Sequence, residues 1–390
     1  MYSKKHIFFA ILITFVITAF CTFVGYNIYS DANEDVLSRA KKIVLDQYVD
    51  ELTEEQIEKM DDAALSAMVD SLNDPYSYYF NMEDLEDFNE SNEEEYVGIG
   101  VNVEYNEKAR KIIVTSPTPE SPAEKAGILP LDEITGADNL TVMKNGVNAV
   151  IDHIKGGVEG DTVNVHIMRD GVAKTLKIRR SKIVTKTIFQ KMLDENVGYI
   201  RITQFKHNSV ADFDKAIKEL KENDAKALVI DLRNNPGGYA DSVIKMTDML
   251  LPKGTIAYLE NNKGERQYFE SDARCLDMPM AVLINEGTAS ASELMAGSLQ
   301  AYEKAVIVGK KSYGKAVGQA PIMLTEDTAI YLTTARYYTP KGECIDKLGI
   351  KPDIEAELPE ELAPEISELT VAEDPQLKAA LESVYQQMTK

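Results

Sequence analysis

The chain has 390 residues, 44% of them apolar, and a formal net charge of -22. That length and apolar content fit a folded protein of two or three domains. The acidic balance argues against nucleic acid as a partner, because phosphate binding needs clustered lysine and arginine, and against adhesion to anionic lipid through charge alone.

At the N-terminus Lys4 and Lys5 precede residues 7–24, which carry no charged side chain, and Asp31, Glu34 and Asp35 follow. Such a stretch lies at the short end for spanning a bilayer, and the lysines favour a cytoplasmic end. Residues 1–6 are therefore expected in the cytoplasm, 7–26 as a membrane anchor and the rest outside; a cleaved signal peptide is the alternative. Acid is concentrated between Asp46 and Glu95, in a region, 27–91, that reads as solvated helices. No Asp, Glu or His cluster has convincing metal-ligand spacing, and no cofactor is implied.

Residues 92–183 are rich in strand signals. Strand character runs over 97–103, around Gly98-Ile99-Gly100-Val101, and again over 112–114. Ser121 can cap a helix with Pro122 at its first position and Gly127 past its end. The runs 163–167 and 172–178, joined through Arg169-Asp170-Gly171, predict a hairpin.

In the remainder, apolar 227–232 reads as a strand, Arg233-Asn234-Asn235-Pro236-Gly237-Gly238 as a turn and 241–250 as a helix; paired glycines let a backbone N–H approach a ligand. Further strands are expected at 198–203, 255–259, 305–308 and 329–338. A buried strand over 280–285 leads through a turn to a helix over 289–302, with Ser290 in Thr288-Ala289-Ser290-Ala291-Ser292-Glu293 at the corner, where unpaired N–H groups of the first helical turn could hold an oxyanion. Serine needs a base. Of four histidines, His6, His153, His166 and His207, only His207 falls in this part, with no motif around it. Lysine can serve if burial lowers its pKa, and Lys315, in Ser312-Tyr313-Gly314-Lys315, sits between a turn and a strand-like 316–323. On such a strand Gln319 would share its face. Taken singly, a surface lysine and a helix-capping serine would explain these residues as well. Cys275 and Cys344 could be bridged in an oxidising compartment or be free thiols.

The ordered set of these motifs, from Asp74-Pro75-Tyr76-Ser77 through Tyr96-Val97-Gly98-Ile99-Gly100-Val101, Ser121-Pro122-Ala123-Glu124-Lys125-Ala126-Gly127 and Asp231-Leu232-Arg233 to Lys351-Pro352-Asp353-Ile354, resembles the carboxy-terminal processing peptidases. The resemblance implies an α/β and α+β multidomain chain: a crotonase-like α/β catalytic core at 184–356, an inserted PDZ domain at 92–183, and helical terminal segments, the last at 357–390. It implies Ser290 rather than Ser292 as nucleophile, Lys315 as base, Gln319 as orienting amide, and an oxyanion hole from the Gly237 and Ala291 N–H groups. It also implies a peptide carboxylate site at Gly98, Ile99, Gly100 and Val101, with Lys155 in a coupling role that several relatives give to arginine. The partners implied are protein substrates with accessible C-terminal tails, the membrane through the anchor, and a second copy of the chain through the terminal helices. Departures from the pattern are Thr288 for a serine, Tyr313 for a phenylalanine, Ala316 for a glycine, Ala301 for an aspartate of some members, and Leu131 for the glycine of Pro-Gly-Asp. A catalytically silent PDZ adaptor and a hydrolase of small esters or amides are the alternative functions.

Overall fold

The computed structural model describes residues 35–389, other than 93–94, 107–108, 119, 194–195, 273–274, 360, 363–365 and 367–368. The expected anchor at 7–26 lies outside the described residues, among which no helix is long and apolar enough to cross a membrane.

The chain divides into two compact units, the first ending at Ser71. In it, helices α1 (Val36–Gln47) and α2 (Glu54–Asp70) follow clear start signals. Asp35 accepts from the N–H groups of Leu37 and Ser38, and Thr53 with Gln56 forms a capping box. Lys41 and Asp61 join the two helices at 2.6 Å. Val69 is the only buried residue of either helix, while Val36, Leu37, Ile43 and Val44 are exposed.

The second unit opens with a short strand, β1 (Tyr78–Phe80), and helix α3 (Met82–Asn92). The strand departs from the wholly helical 27–91 expected; its three aromatic residues find a partner strand far along the chain. A β-rich insertion follows: β2 (Glu95–Gly98), β3 (Val101–Asn106), β4 (Lys111–Pro117), the short helix α4 (Pro122–Lys125), β5 (Glu133–Ala137), β6 (Leu140–Thr141), helices α5 (Val142–Asn145) and α6 (Val147–Lys155), then β7 (Thr162–Arg169), β8 (Val172–Arg179) and β9 (Ser181–Val184). The strand expected at 97–103 is broken in two, because Gly100 turns the backbone to φ 73°. The predicted hairpin joins β7 to β8 through Asp170 and Gly171, both at positive φ as a type I′ turn requires. Alternate residues such as Val163, Val165 and Ile167 close a core of their own with Ile112, Val114, Val150 and Ile154.

The core proper comprises β10 (Ile188–Leu193), β11 (Val197–Ile202), α7 (Asn208–Glu222), β12 (Ala227–Asp231), α8 (Ala240–Asp248), β13 (Gly254–Asn261), β14 (Arg266–Ser271), β15 (Met280–Ile284), α9 (Ala291–Ala301), β16 (Val306–Gly309), β17 (Val317–Met323), β18 (Ala329–Tyr338), β19 (Ile354–Glu355) and α10 (Pro375–Met388). Its main sheet runs β10-β11-β12-β15-β16-β19, parallel except at the β10 edge. Leu228, Ile230, Met280, Val282 and Ile284 face α7, α8 and α9 on one side. Ala227, Val229, Ala281 and Leu283 face Leu377, Ala380, Leu381 and Val384 of α10 on the other. Burial of both faces is why these strands read as unbroken apolar runs. In a second sheet β18 pairs with β1, β13 and β17. The final helix is shorter than the expected 357–390; it starts at Pro375, in the first helical turn, behind the Asp374 cap.

One departure noted in the sequence is visible as backbone strain. Leu131 stands at φ 69° and is 83% exposed, a conformation that a residue with a Cβ adopts at a cost of about 1–2 kcal/mol. Leu131→Gly is expected to raise stability by roughly 1 kcal/mol, read as a higher midpoint in urea unfolding.

Candidate active site

Two loops leave the C-terminal ends of neighbouring parallel strands, where open α/β sheets place their sites. The loop after β12 carries the glycine pair and the loop after β15 carries Ser290. They are stitched together: Asn285 accepts from the N–H of Asn234 at 2.8 Å and donates through Nδ2 to Asn234 Oδ1 at 2.7 Å. The hydroxyl of Thr288 donates to Leu232 O at 2.8 Å, so the threonine that departs from the family pattern keeps a working hydroxyl. Ser292 is fully buried and donates to Asn235 O at 3.0 Å, whereas Ser290 is half-buried and heads α9. The two serines thus have different surroundings.

Ser290 has φ 56° and ψ −117°, a strained conformation for a residue with a Cβ. The surroundings over-determine it. Its N–H donates to Glu293 Oε2 at 2.9 Å, its carbonyl accepts from the N–H groups of Glu293 and Leu294, and the Tyr337 hydroxyl also reaches that carbonyl at 2.9 Å.

Lys315 is fastened by the same two side chains. Its N–H donates to Glu293 Oε2 at 2.8 Å and its carbonyl meets the Tyr337 hydroxyl at 2.9 Å. The Glu293 carboxylate further accepts from Gly314 N–H at 2.7 Å and Ser312 Oγ at 2.5 Å. Burial pushes the Glu293 carboxyl above its ordinary value against the pull of these four bonds. Burial likewise pushes the Lys315 ammonium below the usual lysine range, opposed by the charge of Asp74. Lys315 Nζ lies 4.4 Å above the centre of the Tyr76 ring, a cation–π arrangement.

The remaining expected residues are placed as follows. Gln319 donates to Thr333 Oγ1 at 3.1 Å, not to Lys315; the register of β17 against β18 shifts between Gly318 and Gln319, with the extra residue, Thr334, on β18. Gly237 packs against the nucleophile loop, since a Cβ there would lie 2.9 Å from Ser290 Cβ and 3.0 Å from Ala291 N. Its N–H donates to Asn235 Oδ1 at 2.9 Å, while Ala291 N–H opens the helix with no partner among the described bonds. His207 stacks on Tyr239 and pairs with Asp241 at 3.5 Å. Cys275 and Cys344 are free thiols. Among the described residues no group of three His, Cys, Asp or Glu could hold a metal ion.

In the insertion, Ile99 is buried, and Gly100 O accepts from Thr118 N–H and Ser121 Oγ, both at 3.0 Å. Gly98 ends β2 and Val101 begins β3. A cavity of about 970 Å³ lies beside them, lined by Tyr96 and Val97, by Tyr105, by Asn148, Ile151 and Lys155 of α6, and by Thr185 and Lys206 of the core. Lys155 reaches this cavity; residues 98–101 do not line it.

The sequence matches the profile of peptidase family S41 over residues 196–356 and that of the PDZ domain over 97–179. It is 34% identical over 375 residues to the carboxy-terminal processing protease CtpA of Bacillus subtilis, covering 92% of this chain and 79% of that protein. The chain belongs to the carboxy-terminal processing proteases, a family of serine peptidases. A "Probable CtpA-like serine protease" of Staphylococcus aureus is likewise 34% identical, over 92% of this chain and 74% of its own length. Among solved structures, the photosystem II D1 C-terminal processing protease superposes with a TM-score of 0.53 at 26% identity, covering 88% of this chain and 93% of that one. The chain is therefore a mixed α/β protease with a PDZ domain.

Glu293, Tyr337, Asp74 and Tyr76 were not read from the sequence as parts of the site. Glu293, Asp74 and Tyr76 stand inside quoted motifs, which was the available signal; nothing in the local sequence marks Tyr337. Gly238, at φ 141°, would place a Cβ 2.2 Å from Phe205 O. Because that neighbour is backbone, Gly238→Ala is expected to displace the glycine loop and lower kcat/KM by on the order of 100-fold, the scale for a misplaced site element, measured on a cleavable tail reporter.

Proposed function

We propose that this protease is a membrane-anchored, exported serine endopeptidase with a crotonase-like core, which captures C-terminal protein tails in the cavity between α6 and β2 of its PDZ domain and cuts them with Ser290 and Lys315. The observation that carries the reading is the shared clamp: Glu293 and Tyr337 each bind both Ser290 and Lys315, and burial disfavours the charge of the lysine. Neutral Lys315 removes the Ser290 proton as the oxygen attacks the peptide carbonyl, then returns it to the leaving amine. Ala291 N–H takes the oxyanion, and Gly237 N–H joins it when the substrate oxygen displaces the Asn235 amide oxygen. Water then resolves the acyl-enzyme. The exposed apolar side chains of α1 support pairing with a second copy.

The full-length chain, intact and as Ser290→Ala and Lys315→Ala, is tested on a reporter with an unstructured apolar C-terminal tail, the products being weighed by mass spectrometry. Only the intact chain should cut. Activity should be lost as pH falls through the lysine's lowered pKa, giving an acid limb below the ordinary lysine range. Tail binding without cleavage by any of the three would favour the adaptor.

A further inference from the structure

The segment 73–77 ends beside the base although it lies about 240 residues from it. Asp74 is held in place by three donors: Tyr76 N–H at 3.2 Å, Ser77 Oγ at 2.6 Å and the hydroxyl of Thr333. Ser77 Oγ in turn accepts from Thr333 N–H at 2.9 Å, which pins the segment to β18. Thr333 Oγ1 also accepts from Gln319 Nε2, so Gln319, Thr333 and Asp74 form one chain of hydrogen bonds. It ends on the Asp74 carboxylate, which holds the backbone N–H of Tyr76, the residue whose ring lies 4.4 Å beneath Lys315 Nζ.

We propose that Asp74 is a positioning residue for the base: held by Tyr76 N–H, Ser77 and Thr333, it favours the ammonium form of Lys315 over the Tyr76 ring and so strengthens Lys315 as acceptor of the Ser290 proton, Gln319 acting through Thr333 rather than by touching the lysine. This rests on the Ser290 and Lys315 reading above. The proton passes from Ser290 Oγ to Lys315 Nζ, and the new positive charge appears where the Asp74 carboxylate and the Tyr76 ring face already favour it.

The other titratable groups around Lys315 are Tyr76 and Tyr313, whose hydroxyls are 3.5 Å apart, Glu293 on α9, Tyr337 on β18, and Asp346, which accepts from Ala316 N–H at 3.3 Å. Burial, with Tyr313 beside it, pushes the Tyr76 phenol up to about 12, and burial holds Tyr337 well above its ordinary value. Asp74, in spite of its burial, is kept below the usual carboxylate range by its hydrogen bonds. Asp74 therefore stays charged and both tyrosines neutral while Lys315 titrates.

The test is the pH profile of kcat/KM for the full-length chain and for Asp74→Asn, Asp74→Glu, Tyr76→Leu, Tyr76→Phe and Lys315→Ala. Loss of an opposite charge lowers a base's pKa by roughly one unit, so more lysine is neutral at low pH while the base itself is weaker. The Asp74→Asn profile should cross that of the parent, roughly threefold faster below the acid limb and roughly threefold slower on the plateau. Asp74→Glu should return towards the parent. Tyr76→Leu should also move the limb down and Tyr76→Phe should leave it in place, which keeps the proposal testable if Asp74→Asn fails to fold. A uniform loss with the limb unmoved, or a limb moved to higher pH, overturns the proposal while leaving the dyad intact if Lys315→Ala is inactive. Parent-like activity in Lys315→Ala overturns both.

Discussion

One buried carboxylate ties the reactive elements together. Glu293 stands on the first turn of α9 and accepts from the backbone of Ser290 on its own helix and from Ser312, Gly314 and Lys315 on the loop before β17. Every partner is a donor, so the site is matched to an acceptor with two oxygens, and an ionised carboxyl supplies that better than an amide. Tyr337 closes the opposite side with its hydroxyl between the carbonyls of Ser290 and Lys315. Neither bond forms the reacting pair; both fix the backbones from which the reacting side chains project.

That arrangement needs a rigid support, and the main sheet provides it. The loops after β12 and β15 leave a sheet packed on both faces, and a fully buried ion pair anchors the first of them. Arg233 meets Asp231 at 2.6 Å and Asp374, the cap of α10, at 2.8 Å, and it donates to Gln376 at 3.0 Å. Removing one partner of such a group leaves an uncompensated buried charge. The last helix of the chain is thus coupled to the turn that carries the glycine pair, and the strained Ser290 conformation persists because its neighbours on three elements cannot relax.

Much of this was legible in the sequence where one segment decides its own structure. The corner at Ser290, the hairpin at Asp170 and Gly171, and the strand over 329–338 follow from local patterns. What the sequence did not show depended on a distant partner. Gln319 was expected on the Lys315 face by alternation along one strand, and its bond to Thr333 arises only from the pairing of β17 with β18. Tyr78 to Phe80 form a strand only because β18 accepts them. Tyr76 lies beneath Lys315 on a segment that Ser77 joins to Thr333 of β18. Leu131 is the converse, where the missing glycine noted in the sequence shows as a positive φ.

The most direct test of the clamp is the rate at which a fluorophosphonate labels Ser290 in Glu293→Gln and in the parent, with the adduct mapped by mass spectrometry and the fold checked by thermal unfolding. An amide must turn one NH2 group towards donors. The account predicts labelling slowed on the order of a hundredfold in a protein that still unfolds cooperatively. Labelling of Ser290 at the parent's rate would contradict it, since the nucleophile would then be positioned without the carboxylate.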